Sequence, residues 1–462
     1  MCVYSPADRA APHARLADAA YPLPGDAPAE SYLNIPALMD ACRAAGAQVV
    51  HPGYGFLAEN PAFADAVVEA GLAYAGPPPA VLRVCGDKAR TREAVAAADV
   101  PILPGTGVVA DPEAERAAAR VGYPLLIKAA GGGGGKGIHL VRSDRELHDA
   151  LRLARGEARA AFGDDRVYFE RWLPGARHVE VQVLADRSGR VVALGERDCS
   201  VQRRHQKLIE EAPAPGLPPS VRARLLASAE AGSRAVGYVG AGTFEFLVEG
   251  DAFFFLEVNA RLQVEHPVTE MVTGIDLVVE QLRIALGGRM RLPRAAAPRG
   301  HAIEARISAE DPYEGFLPTA GGIEEVVLPG GPGIRVDAAL EPGMMVTRHY
   351  DPLLGKVIAW GRRREEAIAR LRRALAETVI AGVPTTVPFH LWALRHEAFT
   401  TGTHTTRFVQ QWESRDQEGD EPLAVAVAAA VEHVARSLPR VPSVLPSARW
   451  LAAARAEGLR DG

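Results

Sequence analysis

Lysine is almost missing from this 462-residue chain. Of its 52 basic residues only Lys88, Lys128, Lys136, Lys207 and Lys356 are lysine, and the rest are arginine. Asparagine is scarcer still, at Asn34, Asn60 and Asn259. The four cysteines (Cys2, Cys42, Cys85, Cys199) stand far apart with no CxxC, which argues against a zinc site or a disulfide framework. There is no basic excess. The net charge is −5 at pH 7, which speaks against a nucleic-acid binder. Apolar runs such as Leu423–Val431 fall short of the roughly 18 residues that a membrane span needs. The opening Met1–Pro6 lacks the charged start and apolar core of a signal peptide. With 48% hydrophobic and 24% charged residues, wholesale disorder is excluded. The expectation is a soluble, cytoplasmic protein of two to four domains.

The five lysines invite scrutiny. In a chain that uses arginine for generic positive charge, each has either survived by chance or serves as a compact point charge suited to phosphate or a small anion. Four of them fall in segments that look chemical on other grounds.

The first third alternates helix and strand patterns. Tyr32–Ala45 predicts a helix and Ala47–His51 a strand. A second helix is expected over Asn60–Ala70 and a second strand over Leu72–Ala75. That order implies βαβ units and a parallel sheet. Such a sheet normally begins with a complete strand and helix, whereas this chain opens almost at once in a loop, so its first unit reads as incomplete. Further on, strand patterns cover Tyr123–Ala130, Ile138–Val141, Val179–Leu184 and Val191–Gly195. Thr243–Val248 and Ala252–Asn259 read as a hairpin, followed by Ala302–Ile307, Gly322–Leu328 and a helix over Arg364–Glu377. Beyond Glu413 the sequence reads as an appended helix (Leu423–Ala435) and linker.

Gly131–Gly135 followed by Lys136-Gly137 is not a P-loop, because no Ser or Thr follows the lysine and a strand, not a helix, comes next. It reads as a glycine-rich hairpin whose backbone amides can close over phosphates, or as a mobile loop without a ligand. In the hairpin that turns near Asp251, Glu245 should pair across from Glu257, with Asn259 on the same face. Facing carboxylates repel unless a cation lies between them. Oxygen ligands without His or Cys point to Mg²⁺ or Mn²⁺, and a solvated acidic face is the other reading. If the alternation persists, Arg261, Gln263 and Glu265 continue that polar face as a cradle for a small anionic acid, with the carboxylate as base. The charged run Glu196–Lys207 reads as a surface loop or an anion site.

Five motifs carry a resemblance: HPGYGFLAEN (His51–Asn60), IKAAGGGGGKG (Ile127–Gly137), ERDCSVQRRHQKLIEEAP (Glu196–Pro213), GAGTFEF (Gly240–Phe246) and LEVNARLQVEHPVTE (Leu256–Glu270). From about Ala7 to Phe408 the chain resembles the biotin carboxylase component of biotin-dependent acyl-CoA carboxylases, in the ATP-grasp superfamily. The resemblance implies an α/β (α+β) ATP-grasp fold. An N-terminal βαβ domain lacking its first strand and helix would cover residues 1–82. The ATP-grasp domain would span 83–290, with a mobile glycine-rich lid at about 100–172. A C-terminal mixed α+β domain would cover 300–411, and 412–462 would be a tail or linker leading toward further domains of a longer chain.

It also implies site roles. Lys88 and Lys128 would meet ATP, with Gly133, Gly134, Gly135 and Lys136 in the closing flap. Glu170 and the backbone of Leu173 would meet adenine and His178 the ribose, while Gln202 and His205 would touch the nucleotide. Glu245, Glu257 and Asn259 would hold Mg²⁺ or Mn²⁺. Lys207, Arg261, Gln263 and Val264 would bind bicarbonate for Glu265 to deprotonate, and Arg306 would stabilise the biotin enolate. The cofactors implied are ATP, the metal, and biotin, which would arrive on another polypeptide or belong to a downstream part, since no Ala-Met-Lys-Met attachment sequence occurs in the 462 residues. The implied partners are a biotinyl carrier protein or domain, a carboxyltransferase subunit that chooses the acyl-CoA, and a second copy. The missing first strand and helix, and Pro332 in place of an aromatic, would weaken that dimer. Other readings are another ATP-grasp carboxylate ligase, or an inactive nucleotide-binding assembly subunit.

Overall fold

The computed structural model describes residues 1–131, 137–292 and 298–414, apart from the side chain of Phe162. Gly133, Gly134, Gly135, Lys136 and the expected tail helix Leu423–Ala435 lie outside these residues. Met1–Gln410 forms one compact unit.

The N-terminal segment carries the two expected helices, slightly shortened to Ile35–Ala44 and Pro61–Glu69. Asparagine starts both. The Asn34 side chain accepts from the Ala37 amide at 3.1 Å and the Asn60 side chain from the Phe63 amide at 3.0 Å, so each satisfies a donor that a helix start leaves open. Strands Val49–Val50 and Ala73–Tyr74 pair in parallel, as do Cys2–Tyr4 and Ala20–Pro22, so the chain opens on a short strand and not, as expected, in a loop.

A four-stranded antiparallel sheet follows, in the order Gly105–Val108, Val167–Arg171, Leu125–Ala129, Ile138–Val141. Helices Ala114–Val121 and Asp144–Phe162 pack on it around a small core of its own, including Val121, Leu125, Ile127, Leu147, Leu151 and Phe169.

The largest element is an eight-stranded antiparallel sheet. Its order is Ala252–Asn259, Gly240–Glu249, Arg177–Ala185, Val191–Arg203, Gln206–Ala212, His301–Ser308, Leu353–Gly361, Ile334–Ala338. Of the strands expected after residue 300, Ala302–Ile307 continues the same sheet, since Gln206–Ala212 pairs directly with His301–Ser308, Ile209 opposite Ala305; Gly322–Leu328 does not, and is split into short strands that pair with Met345–Val346 and Val379–Ala381 outside that sheet. The helix Arg364–Glu377 forms over the predicted span and buries Ala367, Leu371, Ala374 and Leu375.

Two expectations change. Glu196–Arg203 is not a loop after the strand; it extends Val191–Gly195 into one strand of 13 residues. Its charges are inside because other strands neutralise them. Arg177 donates to Asp198 at 2.7 Å, and the buried Arg197 donates to Glu180 at 2.5 Å. The alternation also stops at Asn259. Arg261–Glu265 forms a turn into helix His266–Thr273, not a continued strand.

Candidate active site

The hairpin Gly240–Asn259 sets the geometry. Gly250, in the left-handed region at φ 58°, begins a two-residue turn between the paired Glu249 and Ala252. Simple counting from that turn would oppose Glu245 to Leu256. A register shift after the Phe246–Phe255 pair instead brings Glu245 opposite Glu257. On its other side Glu245 lies opposite Glu180, which in turn lies opposite Arg197. Three carboxylates thus run in a row across three strands, and they require cations nearby.

Lysine and histidine supply them. The Lys207 ammonium donates to Glu265 at 2.6 Å, Glu245 at 2.9 Å and the Gln263 amide oxygen at 3.0 Å, and also pairs with Glu180. Lys88 pairs with Glu257 at 2.5 Å. His178 Nε2 lies 3.0 Å from Glu245, while its Nδ1 faces the Gln202 amide at 3.1 Å. Burial pushes the Lys207 pKa down, but the carboxylates of Glu180, Glu245 and Glu265 outweigh that and raise it. His178 is raised on the same balance, mainly by Glu245.

Glu265 joins the two ends of the site. It is fully buried and stands at the start of helix His266–Thr273. One carboxylate oxygen takes Lys207, and the other takes Arg306 Nη2 at 2.8 Å. Burial alone would raise its pKa; Lys207, then Arg306 and Arg197, more than offset this and hold it below the ordinary carboxylate range. In this state Glu265 is ionised but a weak base. Arg306 also donates from Nε to Glu210 at 2.6 Å.

Six of the expected residues lie together. Glu245, Asn259, Lys207, Gln263, Glu265 and Arg306 form one hydrogen-bonded network, with Asn259 donating to Glu245 at 2.8 Å. Lys128 and Arg92 both pair with the buried Glu170 on the four-stranded sheet. Leu173 sits half-buried just beyond that strand, and His205 is exposed at the tip of the Arg203–Gln206 turn. Arg261 is held at the rim, donating to Glu59 at 2.9 Å and to Asn259 at 3.2 Å. The Val264 carbonyl accepts from Lys356. A cleft of about 1500 Å³ opens beside Lys207, Val264 and Arg306, with Tyr54 and Asp351 also on its wall.

Glu180, Arg197, Glu210, Arg92 and Lys356 were not foreseen. The alternation His178-Val179-Glu180-Val181-Gln182 carries a signal for Glu180, since it places polar side chains on one face and valines on the other. The buried Arg197 braces that face, donating to Gln182, Thr269 and Thr243 at 2.7, 2.9 and 3.1 Å.

Glu245, Glu257 and Asn259 offer only oxygen ligands, and each carboxylate already attracts a cationic side chain. That donor set fits a hard divalent cation. A second grouping, His178, Glu180 and Glu245, also converges, but Arg197 and Lys207 already neutralise Glu180.

Comparison with known proteins finds relatives over most of the chain. Residues 1–82 match the biotin carboxylase N-terminal domain, 87–292 the carbamoyl-phosphate synthase L chain ATP-binding domain, and 304–411 the biotin carboxylase C-terminal domain. The chain is 47% identical over 415 residues to a biotin carboxylase of Nostoc sp., covering 89% of this chain and 93% of that one. It is 45% identical over 418 residues to biotin carboxylase 1 of Bacillus subtilis, again covering 89% and 93%. Among solved structures, it resembles the biotin carboxylase domain dimer of the Hydrogenobacter thermophilus 2-oxoglutarate carboxylase, in complex with MgADP, ADP and bicarbonate. The TM-score is 0.86 at 41% identity, over 90% of this chain and 93% of that one.

Proposed function

Since the chain belongs to the biotin carboxylase family, we propose a division of labour among its residues for that reaction. The chain is an ATP-dependent ligase that carboxylates biotin, using bicarbonate. What carries the residue assignment is Glu265 held between Lys207 and Arg306.

Bicarbonate enters the cradle of Lys207, Arg261, Gln263 and the Val264 backbone. As it takes over hydrogen bonds from Lys207 and Arg306, Glu265 loses the cations that depress its pKa and becomes basic enough to accept the bicarbonate proton. The bicarbonate oxygen then attacks the γ-phosphorus of ATP. The bond to the β-phosphate oxygen breaks, and ADP leaves with the electron pair. Lys88 and Lys128, with the flap residues Gly133–Lys136, offset charge on the phosphates. Glu245, Glu257 and Asn259 would hold Mg²⁺, which supplies positive charge to the phosphate oxygens. Glu170, Leu173, His178, Gln202 and His205 complete the nucleotide site.

The carboxyphosphate so formed breaks into CO₂ and phosphate. Phosphate takes the N1′ proton of biotin, Arg306 holds the ureido oxygen as it gains charge, and N1′ attacks CO₂. Biotin arrives on a carrier protein or domain, and a carboxyltransferase subunit uses the product. Pairing with a second copy fits the dimer named for the Hydrogenobacter domain. The domains divide at about residues 82, 290 and 411. A cytoplasmic location fits the four free thiols, and no helix among the described residues is long and apolar enough to cross a membrane.

The test is ADP release with MgATP, measured with and without bicarbonate and free biotin, beside Glu265→Gln. Turnover that needs both substrates and is lost in the variant supports the assignment. An equally active variant would remove Glu265 from the role of base.

A further inference from the structure

The strand pair that carries Arg306 also buries a second acid that the mechanism does not use. Glu304 stands opposite Glu210 in the ladder between Gln206–Ala212 and His301–Ser308, and both carboxyl groups are fully buried. Directly opposed residues of an antiparallel pair have Cβ atoms only about 4.5–5.5 Å apart. Oε1 of Glu210 accepts from Arg306 Nε at 2.6 Å and Nη2 at 2.5 Å. Oε2 of Glu210 and both oxygens of Glu304 meet no donor.

Every charged neighbour is committed elsewhere. On the next strand, Lys356 donates to the Val264 carbonyl and lies 3.7 Å from Asp337. Arg335 pairs with Asp337 and with Glu270 of the overlying helix. At that helix start, Glu265 is shared by Lys207 and Arg306, and His266 Nδ1 faces the Gln263 carbonyl at 2.8 Å. Arg197 is engaged by Glu180, and the Tyr54 ring faces Lys356 across the cleft. Two ionised carboxylates can only accept hydrogen bonds, so opposed and dry they repel. One proton between them supplies the missing donor and removes one charge.

We propose that Glu304 is a neutral carboxylic acid that donates its proton to Oε2 of Glu210, and so acts as a positioning residue for Arg306. The pair then carries one negative charge. Glu210 is fixed with its other oxygen toward the guanidinium, and Arg306 is held between that charge and Glu265. Burial pushes both acids up; Arg306 limits Glu210 to about 7, while Glu304, whose charge Lys356 offsets less well than burial raises it, is pushed well above the ordinary range. The proton therefore rests on Glu304. The sign follows: the one-proton arrangement holds between the two raised pKa values; it is lost as pH climbs through that of Glu304, when the repelled Glu210 no longer orients Arg306, and as pH falls through that of Glu210, when the pair becomes neutral.

The functional half of this inference rests on the role assigned to Arg306; the proton itself does not. The experiment has two readouts. Infrared difference spectroscopy of the full chain should show the C=O stretch of a buried protonated acid in the wild type and not in Glu304→Gln. Biotin-dependent turnover of the wild type should fall on the alkaline side. Glu304→Gln, with a permanent donor, should keep neutral-pH kcat within about threefold and lose that alkaline fall, whereas Glu304→Leu should drop roughly tenfold or more in kcat with the KM for ATP unchanged. No acid band in the wild type, a band that persists in Glu304→Gln, or an unchanged alkaline limb in that variant would overturn the proposal. A band lost in the variant, with no biotin-dependent turnover in the wild type, would support the shared proton and overturn the reading of Arg306.

Discussion

Replacing Lys207 by methionine keeps most of the length of the side chain and deletes one charge at the crossing point of Glu180, Glu245 and Glu265. All three carboxylates are at least nineteen-twentieths buried, and Lys207 is itself only 10% exposed. Arg197 remains for Glu180, His178 for Glu245 and Arg306 for Glu265, so the site loses a shared cation without being stripped of positive charge. Removing one partner from a buried pair costs about 3–5 kcal/mol, so the variant should be destabilised by that order near neutral pH. The pH dependence is the sharper consequence. In the wild type, Glu245 and Glu265 have lowered pKa values, so they contribute stability that is present above the unfolded carboxylate pKa and lost as pH falls toward the folded value. Without Lys207, burial dominates and at least one of them moves above its unfolded value. Its cost is then relieved as pH falls, because a proton replaces the ammonium. Urea unfolding at pH 8 and pH 5.5 should show a wide gap between wild type and Lys207→Met at pH 8, narrowing at pH 5.5. A gap of the same size at both pH values would refute the claim that Lys207 is the cation holding these carboxylates ionised.

Three further outcomes are expected. Arg306→Ala should abolish biotin-dependent ADP release by about 10²-fold or more while leaving ATP binding measurable by calorimetry, since Arg306 lies at the cleft and makes no contact with Lys88 or Lys128. Glu257→Gln should raise the Mg²⁺ concentration needed for half-maximal activity by roughly tenfold; an unchanged Mg²⁺ titration would take Glu257 out of the metal set. Asn60→Ala should cost about 1 kcal/mol in urea unfolding with kinetics unaffected, because its side chain serves helix Pro61–Glu69 as a cap, accepting from the Phe63 amide.

Much of this site was legible because local rules fix it. Strand parity and a turn near Asp251 point to the facing of Glu245 and Glu257, although in the structure it takes a register shift between Glu245 and Phe246 to complete it, and the rarity of asparagine marks three working positions: two helix caps and one site residue. Helix Arg364–Glu377 is plain from its pattern. What escaped depends on residues distant in sequence. Glu196–Arg203 reads as surface because it is charged, yet Arg177, Glu180 and His404 from other segments neutralise it inside the sheet. Arg261–Glu265 reads as strand because the alternation continues on paper, while the chain has already turned. Glu210 and Glu304 face each other only because a strand after residue 300 rejoins the sheet beside Gln206–Ala212. No local pattern foretells that pairing.

That rejoining has a consequence for how the chain tolerates change. Lys207 and Arg306 ride on neighbouring strands whose spacing of about 4.8 Å is set by backbone hydrogen bonds, whatever happens in the long excursion between them. Outside the turn Arg261–Glu265, residues can be gained or lost in the loops of that excursion without altering the reach from one charge to the other. A single residue inserted within either strand would turn its charged side chain to the opposite face. The distance between these two charges is thus indifferent to loop length between the strands and sensitive to any insertion within them.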